Sequence, residues 1–211
     1  MLIIENHGKL TPTEINTDLQ YFGSISYIKK LMYSNLVHFN GDQVYTKMSF
    51  KNRMVIGTAQ GPLHLSIPII GGRDQKMPMK DIKIAYHLPW MDQHYKSIVS
   101  NYRISPFFEY YHHEIIEIYS KQPSYLFDYL MTINEWVKKQ VKGKWEISKT
   151  EPINSIYHSD ECLPKNYDQV ANPIIYQQVF EDKIGFMPNL SILDILFCCG
   201  GKQVKELLIA S

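Results

Sequence analysis

The chain has 211 residues, with 22 Lys and Arg against 21 Asp and Glu, a formal charge of +1. A sequence-independent nucleic-acid binder carries a basic excess or a basic stripe, and this chain has neither. Its 45% hydrophobic and 20% charged fractions are those of a globular domain long enough to fold without disulfides or metal.

In chain order, Leu2 to Ile4 reads as a first strand, followed by a polar stretch from Gly8 to Asp18. A helix is predicted from about Leu19 to Tyr33, on the helical spacing of Ile25, Ile28, Leu31 and Met32. Asp18 is its expected cap, with Ser24 the fallback because Gly23 interrupts the pattern. Asn35 to Phe39 is a short apolar strand, and Asn40-Gly41 is a hairpin-turn dipeptide. Gln43 to Phe50 alternates, which predicts Val44, Thr46, Met48 and Phe50 on one face and Tyr45, Lys47 and Ser49 on the other. Met54 to Gly57 and Leu63 to Ile69 form a further pair, in which Leu63, Leu65 and Ile67 alternate with His64, Ser66 and Pro68. Ile82 to Ala85 adds a short strand.

The second half reads as helical. Asp92 caps a helix to about Tyr102, and Ser105-Pro106 starts the next, ending near Tyr119. Ser124 to Lys142 is a third, closed by Gly143 in the left-handed position. One or two short strands are expected between Lys144 and Val170. Asn189 or Ser191 opens a last helical segment that Gly200-Gly201 interrupts. The result is one α+β domain over 1–211, a strand-rich N-terminal half packed with a helix-rich C-terminal half. The doubly wound alternative lacks its glycine-rich nucleotide loop.

Cys162, Cys198 and Cys199 are odd in number and include an adjacent pair, so buried free thiols in a reducing, cytoplasmic setting are expected. The N-terminus lacks the pattern of a signal peptide, and no apolar run is long enough for a membrane span. No spacing points to a metal or a cofactor. His113 and Glu117 lie one turn apart but have no third ligand, and read as surface residues.

Two clusters carry candidate chemistry. Tyr45, Lys47, Asn52 and Arg53, with His64 nearby in the chain, supply the donors that hold a phosphate or carboxylate. Trp90 and His94 share a helix face, and His94 is a candidate general base. The bland reading of both is a solvated sheet face and a surface helix with one aromatic anchor. Asp194 lies inside an apolar run and needs a partner, with Arg53 or a ligand cation as candidates.

Several blocks in order resemble the WbqC-like family. They are Tyr21-Phe22-Gly23-Ser24-Ile25-Ser26-Tyr27, Lys47-Met48-Ser49-Phe50-Lys51-Asn52-Arg53 and Gly61-Pro62-Leu63-His64-Leu65-Ser66-Ile67-Pro68. Trp90 with His94, Tyr102-Arg103, the run from Ser105 to Tyr111, Tyr176 to Phe180 and Gly185 to Phe197 continue the match. Gly200-Gly201-Lys202 departs from it. The resemblance implies an association with bacterial surface-polysaccharide (O-antigen) gene clusters, and its motifs single out Lys47, Asn52, Arg53, Trp90 and His94.

The expected function is a transferase of polysaccharide assembly with a nucleotide-sugar or an activated acyl or aminoacyl donor. Lys47 and Arg53 would hold the donor anion, His94 would act as base, and Trp90 and Tyr45 would stack on sugar or base. The alternative is a non-catalytic binding or scaffold protein for other polysaccharide-assembly enzymes.

Overall fold

A computed structural model describes residues 14–72, 74–148 and 163–210, and the backbone of 157–158. The strand expected at Leu2 to Ile4 lies outside them, as does Cys162. The fold is α+β, as expected. A four-stranded parallel sheet runs in the order β5-β2-β1-β6, where β1 is Glu14–Thr17, β2 Leu36–Phe39, β5 Glu146–Ile147 and β6 Tyr157–His158. A separate antiparallel hairpin joins β3 (Arg53–Thr58) to β4 (Gly61–Ser66).

Helix α1 (Ile25–Met32) carries the chain from β1 to β2. It is shorter than the sequence suggested. Ser24 caps it, its hydroxyl accepting from the Tyr27 amide, while Asp18 is drawn away to Lys51. The crossover makes β2 parallel to β1, with Glu14 opposite Leu36 and Thr17 opposite Phe39. Asn40-Gly41 therefore turns no hairpin. Asn40 Oδ1 instead accepts from the amides of Asp42 and Gln43.

The strand expected over Gln43 to Phe50 is also absent. Met48 takes a φ of 58°, which extended chain does not allow, and Ser49 Oγ donates back to the Thr46 carbonyl. Only Val44 bridges, to Pro78, and burial does not follow the expected faces: Tyr45 and Phe50 are both buried, while Val44 and Lys47 are both exposed. Ile82 to Ala85 makes isolated bridges to Ile69 and Tyr125 rather than a strand. The β3–β4 hairpin does follow its alternation. Met54, Ile56 and Leu65 point into the core, while Arg53, Val55, His64 and Ser66 share the opposite face.

Helices α2 (Trp90–Tyr102), α3 (Phe108–Ser120) and α4 (Leu126–Gln140) follow in succession. Asp92 does not cap α2, which starts two residues earlier; it pairs with Lys96 one turn on, at 2.7 Å. Ser105 does not cap α3 either, because its hydroxyl donates to the Tyr102 carbonyl at 2.6 Å. At the end of α4 the left-handed residue is Lys142, with φ 51°, rather than Gly143. The amides of Lys142 and Gly143 close the helix onto the Lys139 and Lys138 carbonyls. Gly143 is needed for space, since a Cβ there would stand 2.0 Å from the Trp145 ring.

A short helix, α5 (Glu181–Ile184), precedes α6 (Ile192–Ala210), which is broken at Gly200 (φ 72°) as the sequence indicated. The first half of α6 is buried on all sides: α1, α3 and β3 pack against the helix, and Tyr102 of α2 and Phe108 and Tyr111 of α3 stack on Phe197. A smaller cluster of Phe50, Val55, Tyr167, Met187 and Leu190 covers the other face of the hairpin. Each fully buried Leu, Ile or Phe in these cores stabilises the fold by roughly 1.5–3 kcal/mol. Among the described residues no helix is long and apolar enough to cross a membrane.

Candidate functional site

The hairpin face assembles the first candidate group. Arg53 opens β3 and lies opposite Ser66 at the end of β4, and its Nε donates to Ser66 Oγ at 2.9 Å. This uses one nitrogen of the guanidinium, and no carboxylate pairs with Arg53 among the described residues. Two residues along the same face of β4, His64 is exposed, with its ring edge-on to Tyr167 at 6.2 Å. Burial and then the Arg53 cation push the His64 pKa down, so the imidazole is neutral near pH 7. Beyond the strand end, the Tyr45 hydroxyl donates to Asn52 Oδ1 at 3.0 Å, and Asn52 Nδ2 donates to the Ile67 carbonyl. Burial raises the Tyr45 pKa and the Arg53 cation opposes that rise.

Tyr45, Asn52, Arg53 and His64 thus come together. Lys47 does so less closely. It is exposed on the irregular segment before β3, where it pairs with Asp74 at 2.5 Å.

Trp90 and His94 lie behind this face, in the core. His94 is 5% exposed and Trp90 3%. His94 Nδ1 is 2.9 Å from the Tyr21 hydroxyl, which is in turn 2.5 Å from the Tyr119 hydroxyl. The ring also bonds the backbone of Ser66. A carbonyl only accepts, so the imidazole donates there and accepts from Tyr21, which fixes its neutral tautomer. Burial pushes the His94 pKa down to about 4, and the Ser66 bond only partly opposes it. The Trp90 ring packs against those of Tyr86, His94, Tyr119 and Tyr129, so its faces are already occupied.

Ser66 therefore joins the two clusters, its hydroxyl to Arg53 and its backbone to His94. Sequence reasoning missed it. Its place on the His64 face was legible in the alternation of β4, but a serine there carries no signal of its own. Tyr21 and Tyr119 were missed because their partners lie 73 and 98 residues away.

Asp194 is 2% exposed and, among the described residues, meets neither Arg53 nor another cation. Its carboxylate accepts from the hydroxyls of Tyr102 at 2.6 Å and Tyr176 at 2.7 Å. Tyr102 also accepts the Gly57 amide, so this group ties α6 and α2 to β3. Burial raises the Asp194 pKa, and the three hydrogen-bonding side chains around it oppose the rise. Burial and the Asp194 charge raise the pKa of the Cys198 and Cys199 thiols, that of Cys199 to about 11, so neither is a thiolate at neutral pH. A separate small cleft, lined also by Asn189, lies between the start of α1 and residues 170–174, and holds none of the candidate catalytic or ligand-binding residues.

The model of the WbqC-like protein family matches residues 20–165, which takes in both clusters. No curated protein and no solved structure matches the chain.

Proposed function

The chain belongs to the WbqC-like protein family, and from that premise we propose that it is a cytoplasmic transferase of bacterial surface-polysaccharide assembly. Its donor is a nucleotide-linked sugar or an activated acyl or aminoacyl group, and it needs no bound metal or cofactor. The observation that carries this reading is Arg53: a guanidinium without a carboxylate partner among the described residues, anchored by Ser66 and flanked by the neutral imidazole of His64.

Anchoring through Nε leaves the terminal nitrogens of Arg53 to grip a phosphate or carboxylate, the geometry for which Arg is suited. Lys47 adds a mobile second charge at the rim once it leaves Asp74. The exposed His64 takes the proton from an acceptor hydroxyl or amine as that nucleophile bonds to the donor carbon. The bond to the leaving phosphate or carrier breaks, and Arg53 compensates the charge that develops there. In this reading His94 passes from base to positioning residue, since it reaches the site through Ser66. Trp90 supports His94 from behind, while Tyr45 and Asn52 hold the end of β3.

The test is a thermal-shift panel of nucleotides, nucleotide-sugars, acyl-CoAs and aminoacyl donors on wild type and Arg53→Ala. A ligand at about a hundred times its dissociation constant stabilises by roughly 2.7 kcal/mol. A shift present in wild type and lost in Arg53→Ala supports the reading and names the donor class. No shift from any donor removes it and leaves the scaffold role.

A further inference from the structure

Parallel strands are ordinarily apolar on both faces, because other elements cover both. One face of this sheet conforms, with Ile15 and Val37 in direct register and buried. The other face does not. Positions 14, 16 and 18 along β1 and just past it are Glu, Asn and Asp, and His38 of β2 stands in register with Asn16. Asn16 is 4% exposed, His38 5% and Asp18 8%.

His38 bonds Glu14, and Asp18 Oδ2 is 2.7 Å from the buried ammonium of Lys51. Two atoms are left over. Asn16 Oδ1 and Asp18 Oδ1 are both buried and have no hydrogen-bond partner among the described residues. Both accept and neither donates. The Asp18–Lys51 pair is already neutral, so the missing partner is not required to bring charge. Nor does any group of three metal-ligating side chains occur among the described residues. Neutral donors, such as hydroxyl groups, fit what remains.

The topology of the sheet also favours a ligand here. From β1 the chain moves outward to β2 and β5, then returns to set β6 on the other flank of β1. Ligands of open parallel sheets sit outside the carboxyl ends of the strands at such a reversal. Asn16 is the penultimate residue of β1 and Asp18 the first beyond it. The two candidate regions adjoin, because Lys51 is two residues from Arg53 and the Tyr21 amide donates to the Phe50 carbonyl at 3.0 Å.

We propose that the carboxyl end of β1 is a hydroxyl-binding subsite, where Asn16 Oδ1 and Asp18 Oδ1 accept from neighbouring hydroxyls of a sugar ring. That ring is the ribose or the hexose of a donor whose phosphates Arg53 holds. Only the identity of the ligand rests on the transferase reading; the two unmet acceptors do not.

The experiment is calorimetry and thermal melting on wild type, Asn16→Leu, Asn16→Ala and Arg53→Ala. The probes are UDP-glucose, GDP-mannose, their parent diphosphates, the 2′-deoxy diphosphates, free glucose, mannose and ribose, and inorganic pyrophosphate. Asn16→Leu removes an unmet acceptor at similar volume, so it is expected to melt no lower than wild type. It should bind the nucleotide-sugars about tenfold more weakly, the scale of one lost hydrogen bond, and pyrophosphate as wild type does. Weaker binding of the 2′-deoxy diphosphates to wild type assigns the ribose. Parent diphosphates that bind Asn16→Leu normally assign the hexose.

Binding of every probe to both Asn16 variants as to wild type overturns the subsite and leaves the Arg53 reading intact. So does a large fall in the melting temperature of both variants with no change in affinity, which would mean that Asn16 has an internal partner. Free sugars that bind in an Asn16-dependent way, without any effect of Arg53→Ala, keep the subsite and remove the transferase reading. No binding by any probe removes both.

Discussion

Arg53 and His94 meet at a single residue: Arg53 Nε donates to the hydroxyl of Ser66, and the buried ring of His94 bonds the Ser66 backbone. A half-buried cation and a core imidazole are thereby held to one strand end. Ser66→Ala keeps the backbone bond and frees the guanidinium. The fold should lose about 1 kcal/mol, the usual worth of such a hydrogen bond. Donor affinity should fall about tenfold, and urea melts with calorimetry on the same protein read both effects.

The pH dependence of stability should report His94. Its folded pKa, about 4, lies below the unfolded value of about 6.5. The unfolded chain takes up a proton first as pH falls. The contribution is therefore fully present above about pH 6.5 and is lost between there and about pH 4, below which it is level. The loss is about 3 kcal/mol for a shift of this size. His94→Gln, which can still accept from Tyr21 and donate to Ser66, should remove that slope from melts taken across pH 3.5 to 8. An unchanged slope would place the titration on another group.

Tyr102→Phe removes a donor to Asp194 and the acceptor of the Gly57 amide together. Leaving buried polar groups unmet costs about 1–3 kcal/mol each. A loss of at least about 2 kcal/mol is expected in denaturant titration. Because burial holds the Asp194 pKa above its unfolded value, its contribution runs opposite to that of His94. It favours the fold below the unfolded carboxylate pKa and is lost as pH rises through the folded one. The loss in Tyr102→Phe should accordingly be larger above the folded carboxyl pKa than below the unfolded one.

The end of α4 offers a paired test. Lys142 holds φ 51° with a side chain, so Lys142→Gly should raise stability by about 0.5–1 kcal/mol. Gly143→Ala should lower it by about 1–3 kcal/mol, because the new Cβ meets the Trp145 ring. If the glycine were there for its backbone freedom alone, the two substitutions would not differ in sign this way.

Exposure separates the two histidines. His64→Ala should leave the melting temperature within a degree or two and reduce turnover about a hundredfold, the contribution of a general base. His94→Ala should lower the melting temperature substantially. Full turnover in His64→Ala would end the assignment of the base.

The sequence by itself determined the elements whose partners lie close in the chain. Start and stop signals located α2, α3 and α4 to within a few residues, although neither Asp92 nor Ser105 turned out to be a cap, and period-two alternation located the β3–β4 hairpin and put His64 and Ser66 on one face. The kink at Gly200 was legible because glycine is the residue that tolerates it. Local rules failed where a distant partner outbid them. Asp18 had the chemistry of a cap but went to Lys51, Asn40-Gly41 had the chemistry of a hairpin but preceded a crossover, and Gly143 made room for a ring. The parallel order β5-β2-β1-β6, the Ser66 junction and the Tyr21–His94 bond were decided by the tertiary structure alone. Periodicity says which way a side chain faces, and only the packed chain says what it faces.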